Sequence, residues 1–145
     1  MLRDLISNIA HALSLVPAAR TADATGTGVN LAEYRAAEAC AELGVPGITL
    51  SGTDYIGAVL EESDSSGSGY TAVADADMTN PSGNGSGEFY RFTSNANASS
   101  VKRTGYKGSK QYIRVNLNFE GTHGTATPCA TRVTLGLPKS APQTA

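Results

Sequence analysis

The chain has 145 residues, enough for one domain with a buried core. Its formal net charge of -2 gives no general attraction to nucleic acid, and no segment approaches the roughly 18 apolar residues of a membrane span. Neither nucleic acid nor a membrane is therefore an expected partner. The hydrophobic share is 40%, but Trp is absent and many of these residues are Ala, so we expect a thin core.

The first twenty residues are predicted to form an N-terminal arm. Its apolar residues recur at near-helical spacing before Pro17: Leu2, Leu5, Ile6, Ile9 and Leu13. Such an arm packs its apolar side either on its own domain or on a neighbouring subunit. Four residues are therefore candidate partner contacts: Leu2, Leu5, Ile6 and Ile9. Deleting residues 1–16 should then abolish partner binding while leaving the rest folded.

Residues 31–43 carry two conflicting signals. Asn30 as an N-cap, Glu33 three residues later and Gly44 at the end are typical of a helix. Residues 34–42 also alternate and lie between turn signals, which favours a strand, and local propensity is a weak guide. Both structures stay open for this segment.

The middle of the chain predicts strands joined by turns. Ile56, Ala58 and Leu60 share one face of a strand over Tyr55–Glu62, which should form a hairpin with Tyr70–Met78. The Gly-rich stretch 79–87 is a loop, and a further strand follows over Glu88–Phe92.

The clearest strand pattern covers Gln111–Glu120. Its inward set is predicted to be Ile113, Val115, Leu117 and Phe119. A period of two over that length places one face on a core. Thr125–Leu137 behaves similarly, and its expected inward residues are Val133, Leu135 and Leu137.

These segments predict an all-β fold, an antiparallel β-sandwich preceded by an extended N-terminal arm. The 16 Gly residues and the Ser-, Thr- and Asn-rich runs supply frequent turns between short strands. The predicted organisation is an arm over 1–20, a sandwich domain over 21–137 and a loose tail over 138–145.

Residues that could carry chemistry are scattered, so no enzyme activity, cofactor or metal is expected. His11 and His123 lack the nearby partners that nucleophilic or metal sites need. Cys40 and Cys129 lack C-x-x-C spacing and are predicted to be small buried residues, with a disulfide between them left open. The glycine runs at 67–69 and 83–87 lead into strands, which favours hairpin loops over phosphate cradles.

Charge is distributed unevenly along the chain. Five of the eleven basic residues fall within thirteen positions: Lys102, Arg103, Lys107, Lys110 and Arg114. Acidic residues flank the first hairpin: Glu61, Glu62, Asp64, Asp75 and Asp77. Opposite charges on separate parts of a domain favour oriented docking, so the basic set joins the candidate partner contacts. A merely solvated strand pair is an equal alternative.

Several stretches together resemble a known group of proteins. They are MLRDLISNI with VPAA, then TGTGVNL, VLEESDSSGSGYTAVADADM and GYKGSKQYIRVNLNFEG. The pattern spans about residues 1–137 and resembles the small capsid decoration, or cement, proteins of tailed bacteriophages and phage-like particles.

This resemblance implies a jelly-roll-like sandwich made in the host cytoplasm and located on the capsid surface of the virion. Such a subunit forms a homo-oligomer, expected here to be a dimer or trimer, and bridges neighbouring subunits of the major capsid protein. No active-site residues accompany it. Two alternatives stay open: a head–tail joining or tail protein, and a carbohydrate-binding sandwich that would use the six Tyr residues.

Overall fold

The computed structural model describes residues 5–140 and confirms the predicted all-β antiparallel sandwich. The strands in chain order are β1 (Ile9–Arg20), β2 (Val29–Asn30), β3 (Tyr34–Leu43), β4 (Tyr55–Ser63), β5 (Thr71–Ala72), β6 (Glu88–Phe92), β7 (Ser100–Tyr106), β8 (Tyr112–Glu120) and β9 (Thr127–Pro138). Sheet A has the order β1-β9-β3-β7. Sheet B has the order β2-β8-β4-β5, and β6 also pairs with β4.

The ambiguous segment is strand β3, in the interior of sheet A. It pairs with β7 on one side and β9 on the other. Ala39, Ala41 and Leu43 are buried against the core, whereas Glu38 and Glu42 lie on the outer face. Two flanking strands and an alternating apolar face therefore outweigh the helix propensity of the Ala- and Glu-rich sequence.

The predicted arm needs correction, because Ile9–Arg20 is an edge strand of sheet A. Ala10 and Ala12 pack against the core and Leu15 is buried in it, so this segment belongs to the sandwich. The register with β9 shifts twice, between Leu13 and Leu15 and again before Ala18, and these bulges accommodate Pro17 on an edge strand. Of the described residues at this end, only 5–8 lie outside the sheet.

The core between the sheets follows the predicted alternation of β8 and β4. Ile113, Val115 and Leu117 of β8 are fully buried. They pair in register with β4, and Val115 lies opposite Leu60. Phe119, the fourth predicted inward residue, is only partly buried against this core.

Two other strand predictions hold only in part. The second arm of the first hairpin is limited to Thr71–Ala72, and a 3-10 turn over Asp75–Asp77 replaces the rest. In β9, Val133 and Leu135 are buried as expected, but Leu137 is exposed. Leu137 has a φ of 52°, which breaks the alternation at the strand end. Pro138 still pairs with Tyr34 and therefore belongs to β9, and residues 141–145 of the predicted tail lie outside the described residues.

Side chains from sheet A complete one edge of β8. The Ser14 hydroxyl accepts a hydrogen bond from Val115 N at 2.9 Å and donates one to Thr27 O at 3.0 Å. Thr131 Oγ1 donates to Val115 O at 3.1 Å. Because β2 is only two residues long, these hydroxyls satisfy backbone groups of Val115 that a longer strand would otherwise pair.

Candidate interaction surfaces

The residues before β1 expose two large apolar side chains. Leu5 is 64% and Ile6 69% exposed, and a turn follows in which Asn8 N donates to Leu5 O at 3.0 Å. Ile9, also a predicted contact, is half-buried at the start of β1. Leu2 lies outside the described residues. Leu5 and Ile6 are therefore the predicted apolar contacts that the structure leaves open to a partner.

The predicted basic cluster is not one surface. Arg103 lies on the outer face of sheet A, with Nη1 3.3 Å from Glu38 Oε2. Arg114 lies on the outer face of sheet B, with Nε 2.6 Å from Glu61 Oε2. Lys110 Nζ, in the loop between β7 and β8, is 2.5 Å from Asp64 Oδ2. Three of the five basic side chains thus bind carboxylates of their own chain.

The other two basic residues are also separated. Lys102 Nζ lies 4.6 Å from the centre of the Tyr90 ring, a cation–π contact. Lys107 is exposed, and its backbone N donates to Asp77 O at 2.8 Å. The sequence predicted that basic and acidic residues lie on different parts of the domain, and this is wrong for two pairs. Strand pairing places Arg114 beside Glu61, and loop packing places Lys110 beside Asp64.

Tyr106 of β7 makes a partly buried polar contact with Glu62 of β4. Its hydroxyl donates to Glu62 Oε2 at 2.5 Å and accepts from Lys110 N at 2.9 Å. Burial and the nearby Glu62 carboxylate raise the pKa of the Tyr106 phenol well above its ordinary value. This contact is not suggested by any motif, since Glu62 and Tyr106 lie far apart in sequence.

The outer face of sheet A carries a row of charges above a buried thiol. Arg132 Nε lies 3.0 Å from Glu42 Oε1, beside the Arg103–Glu38 pair. Cys40, whose register partners are Arg103 and Arg132, is almost fully buried between them. Its thiol donates to Glu38 Oε1 at 3.3 Å, and burial raises its pKa.

Both cysteines are free and buried, as the sequence predicted. Cys129 lies on the inner side of sheet A, opposite Leu43 in the register. Burial raises the pKa of its thiol, so neither cysteine has the lowered pKa of a reactive thiolate.

An open groove of about 560 Å³ crosses one end of sheet A. It spans the ends of β1, β9, β3 and β7, and its lining is dominated by small residues: Ala18, Ala19, Gly44, Ser99, Ser100 and Ala130. Pro17 and Val101 lie at its two sides, and Val101 is 51% exposed. Along β1, Leu13 and Val16 are 52% and 61% exposed. The groove and these exposed apolar side chains are candidate contacts with a partner.

The outer face of sheet B is polar and aromatic. The Arg91 guanidinium lies 4.3 Å from the Tyr55 ring centre, and Arg91 Nε is 3.0 Å from Glu88 Oε2. Glu88 is buried and also accepts hydrogen bonds from Ser82 and Asn84. A cleft of about 170 Å³ beside this group is lined further by Asn118 and Glu120. Glu88 thereby anchors the Gly-rich loop over this face.

The histidines are isolated from one another. His11 is exposed, with Nδ1 3.2 Å from Thr134 Oγ1, and His123 is buried, with Nε2 2.9 Å from Glu120 O. Within residues 5–140, no group of three or more His, Cys, Asp or Glu side chains is placed to hold a metal ion. No helix in this part of the chain is long and apolar enough to cross a membrane.

Comparisons with protein-family models, curated proteins and solved structures give no match to this chain.

Proposed function

We propose that this protein is a virion structural protein that decorates the capsid of a tailed phage or phage-like particle. It binds the capsid surface as a homo-oligomer and stabilises the shell by bridging neighbouring subunits of the major capsid protein. The observation that carries the proposal is the exposure of apolar side chains on both edge strands of sheet A: Leu13 and Val16 on β1 and Val101 on β7 are more than half exposed. The Arg132–Glu42 pair lies between the two edges, and exposed apolar side chains flanked by polar groups are typical of sites that contact other proteins.

The strand order supports the jelly-roll-like part of the proposal. Without the short additional strand β6, the sheets contain the first, eighth, third and sixth strands and the second, seventh, fourth and fifth strands. Strands that are neighbours in sequence thus alternate between the sheets over most of the chain. Jelly rolls are eight-stranded double sheets of this type and are common among viral capsid domains, although fold analogy alone does not assign a function.

Lattice attachment fits the modest size of the surface. A contact that is weak for one subunit becomes strong when an oligomer engages several equivalent sites on a shell at once. The groove and its surrounding apolar residues present such a contact without any reaction chemistry. Arg132–Glu42 and Arg103–Glu38 cross the same face and add polar groups that can orient a partner.

The test is binding of the purified protein to capsid shells that lack it. Co-sedimentation should give a fixed copy number relative to the major capsid protein, and electron microscopy should show density over the whole shell. A Leu13→Asp/Val16→Asp variant should lose binding, whereas Ser68→Asp, in the exposed loop after β4, should bind normally. Absence of wild-type binding contradicts the proposal, and density confined to one ring at the tail vertex supports the head–tail alternative instead.

A second candidate function, carbohydrate binding, is favoured by the cleft on sheet B. Tyr55, Asn118 and Glu120 meet there, and an aromatic ring beside amide and carboxylate groups suits a sugar. However, one face of the Tyr55 ring already stacks on Arg91. A glycan array with the wild type and Tyr55→Ala tests it: a specific ligand lost in the variant supports this function, and no ligand contradicts it.

A further inference from the structure

We propose that a cationic pocket beside the β7–β8 loop binds the carboxylate side chains of an acidic protein segment. The pocket has a volume of about 250 Å³ and lies between the start of β3, the end of β9 and that loop. Three of its lining residues are cations, Arg35, Lys110 and Lys139, and none of the described residues that line it is acidic. The site goes beyond the proposed function, which depends on apolar side chains of sheet A.

Two of the three cations have no counter-ion. Arg35 and Lys139 are exposed, and neither side chain makes an ion pair within residues 5–140. They are far apart in sequence, and the pairing of Tyr34 with Pro138 brings their segments together. Lys139 N also donates to Glu33 O at 2.8 Å, whereas the Glu33 side chain does not line the pocket. Both cations are therefore held at the pocket and remain available to an anion.

The third cation belongs to a loop that adds backbone donors. Lys110 Nζ is 2.5 Å from Asp64 Oδ2, and Lys110 N donates to the Tyr106 hydroxyl at 2.9 Å. Gly108 lies so close to the Tyr106 ring that a Cβ there would clash with it, so the loop needs glycine at this position. The N–H groups of Gly108 and Ser109 have no hydrogen-bond partner within residues 5–140. Unpaired backbone N–H groups beside cationic side chains are typical of anion-binding sites.

The pocket differs in charge from the rest of the molecule. Four other arginines each bind a carboxylate of their own chain: Arg91, Arg103, Arg114 and Arg132. At the pocket, Asp64 is the one carboxylate paired with a lining cation among the described residues, against three cations. The pocket therefore has an excess of positive charge although the whole chain has a net charge of -2. Such a local excess attracts an anion and orients its approach.

Apolar groups beside the cations favour a protein segment over a free inorganic anion. Leu31, Ala32 and Ala37 line the pocket, and Leu137, two residues before Lys139, is 66% exposed. An inorganic anion would contact only the donors, whereas a protein segment that carries Asp or Glu can also cover these apolar groups. The Arg35 guanidinium suits this ligand, because its planar donors match a carboxylate in bidentate geometry.

The test is a titration of the full chain, labelled with nitrogen-15, by nuclear magnetic resonance. The probe is a tetraglutamate peptide. Tetraglutamine is the neutral peptide of matched length, and inorganic phosphate is the free anion. We expect tetraglutamate to shift the amide signals of Gly108, Ser109 and Lys110, and to bind more tightly than either other probe. The affinity should fall as salt is added, because exposed charges are screened.

A double variant and a matched control locate the site. Arg35→Gln/Lys139→Gln removes the two unpaired cations, and Lys102→Gln/Arg103→Gln removes the same charge from β7 outside the pocket. The dissociation constant for tetraglutamate should rise at least fivefold in the first variant and stay within twofold of the wild type in the control. Circular dichroism verifies folding. If the double variant does not fold, Lys139→Gln alone, which lies after the last strand, should still give a twofold rise.

Four results would each overturn the inference. They are an absence of tetraglutamate binding, equal binding of tetraglutamine, binding of phosphate as tight as that of tetraglutamate, and an unchanged affinity in the folded variant. The second would show that carboxylates are not recognised, and the third that the pocket holds a free anion only. None of them bears on the apolar side chains of sheet A, so the proposed function is tested separately by shell binding.

Discussion

Replacing Ser14 with Ala should destabilise the sandwich far more than removal of one hydroxyl from the surface. The Ser14 side chain is buried, and its Oγ is the partner of Val115 N at 2.9 Å. Alanine leaves that backbone donor buried without an acceptor, which costs about 2 kcal/mol. Thr27 is exposed, so its carbonyl can exchange the lost hydrogen bond for water and adds little. For a chain of this length the expected fall in melting temperature is about 4–8 °C.

Urea unfolding followed by circular dichroism measures this change, with Ser68→Ala as the matched control. Ser68 is exposed, and its Oγ contacts only Ser65 Oγ, at 3.4 Å. The control should stay within about 0.5 kcal/mol of the wild type. Equal unfolding midpoints for Ser14→Ala and Ser68→Ala would show that the hydrogen bond from Val115 N to the Ser14 hydroxyl does not stabilise the fold.

Three further perturbations test other parts of the sandwich. Gly121→Ala should lower the unfolding free energy by about 1–3 kcal/mol, because φ is +85° and a Cβ would lie 2.3 Å from Asp54 Oδ1. Gly124→Ala, which has open space, should be nearly neutral in the same urea titration. Tyr106→Phe should destabilise at neutral pH. Since the folded pKa of Tyr106 is raised, its stabilisation is complete below about pH 10 and declines above it, so the wild-type advantage should shrink in unfolding measured at rising alkaline pH. Deleting residues 1–8 should preserve cooperative thermal unfolding, whereas deleting 1–16 removes Ser14 and Leu15 and should abolish it; equal stability of the two truncations would contradict the assignment of β1.

The strands that could be predicted from sequence are those with one strictly apolar face. In β8 the period-two pattern identified Ile113, Val115 and Leu117, and all three are fully buried. β3 could not be decided in this way, because Ala and Glu favour a helix locally. Its strand structure depends on pairing with β7 and β9, which are distant in sequence.

β1 was missed because its inward residues are small and its register is interrupted. Large apolar residues at helical spacing dominate the pattern, but Ala10, Ala12 and Leu15 form the buried side. Two bulges shift the alternation between Leu13 and Ala18, so no period of two survives along the strand. The groove at the end of β1 could not be predicted from the sequence either, because it forms only where the ends of four strands meet.

The charge pattern shows why composition along the chain is a poor guide to a charged surface. Arg114 and Glu61 are direct register partners in β8 and β4, with Nε and Oε2 2.6 Å apart. Arg114 also covers the Tyr70 ring at 4.1 Å. Because the Arg114 guanidinium already binds a carboxylate and an aromatic ring of its own chain, it is less available to a partner. Apolar contacts of sheet A are therefore the stronger basis for binding.

The thin core and the exposed apolar surface are two consequences of the same composition. Ala39, Ala41 and Ala58 are fully buried between the sheets, where larger side chains would bury more apolar surface. Larger apolar residues such as Leu13, Val16 and Val101 instead lie outside, where they stabilise the fold only when another protein covers them. Because a partner that binds the folded state alone raises its stability by mass action, assembly should raise the melting temperature of this chain. A homo-oligomer would therefore be more stable than its subunits, and attachment to a shell would add to that stability at every site it engages.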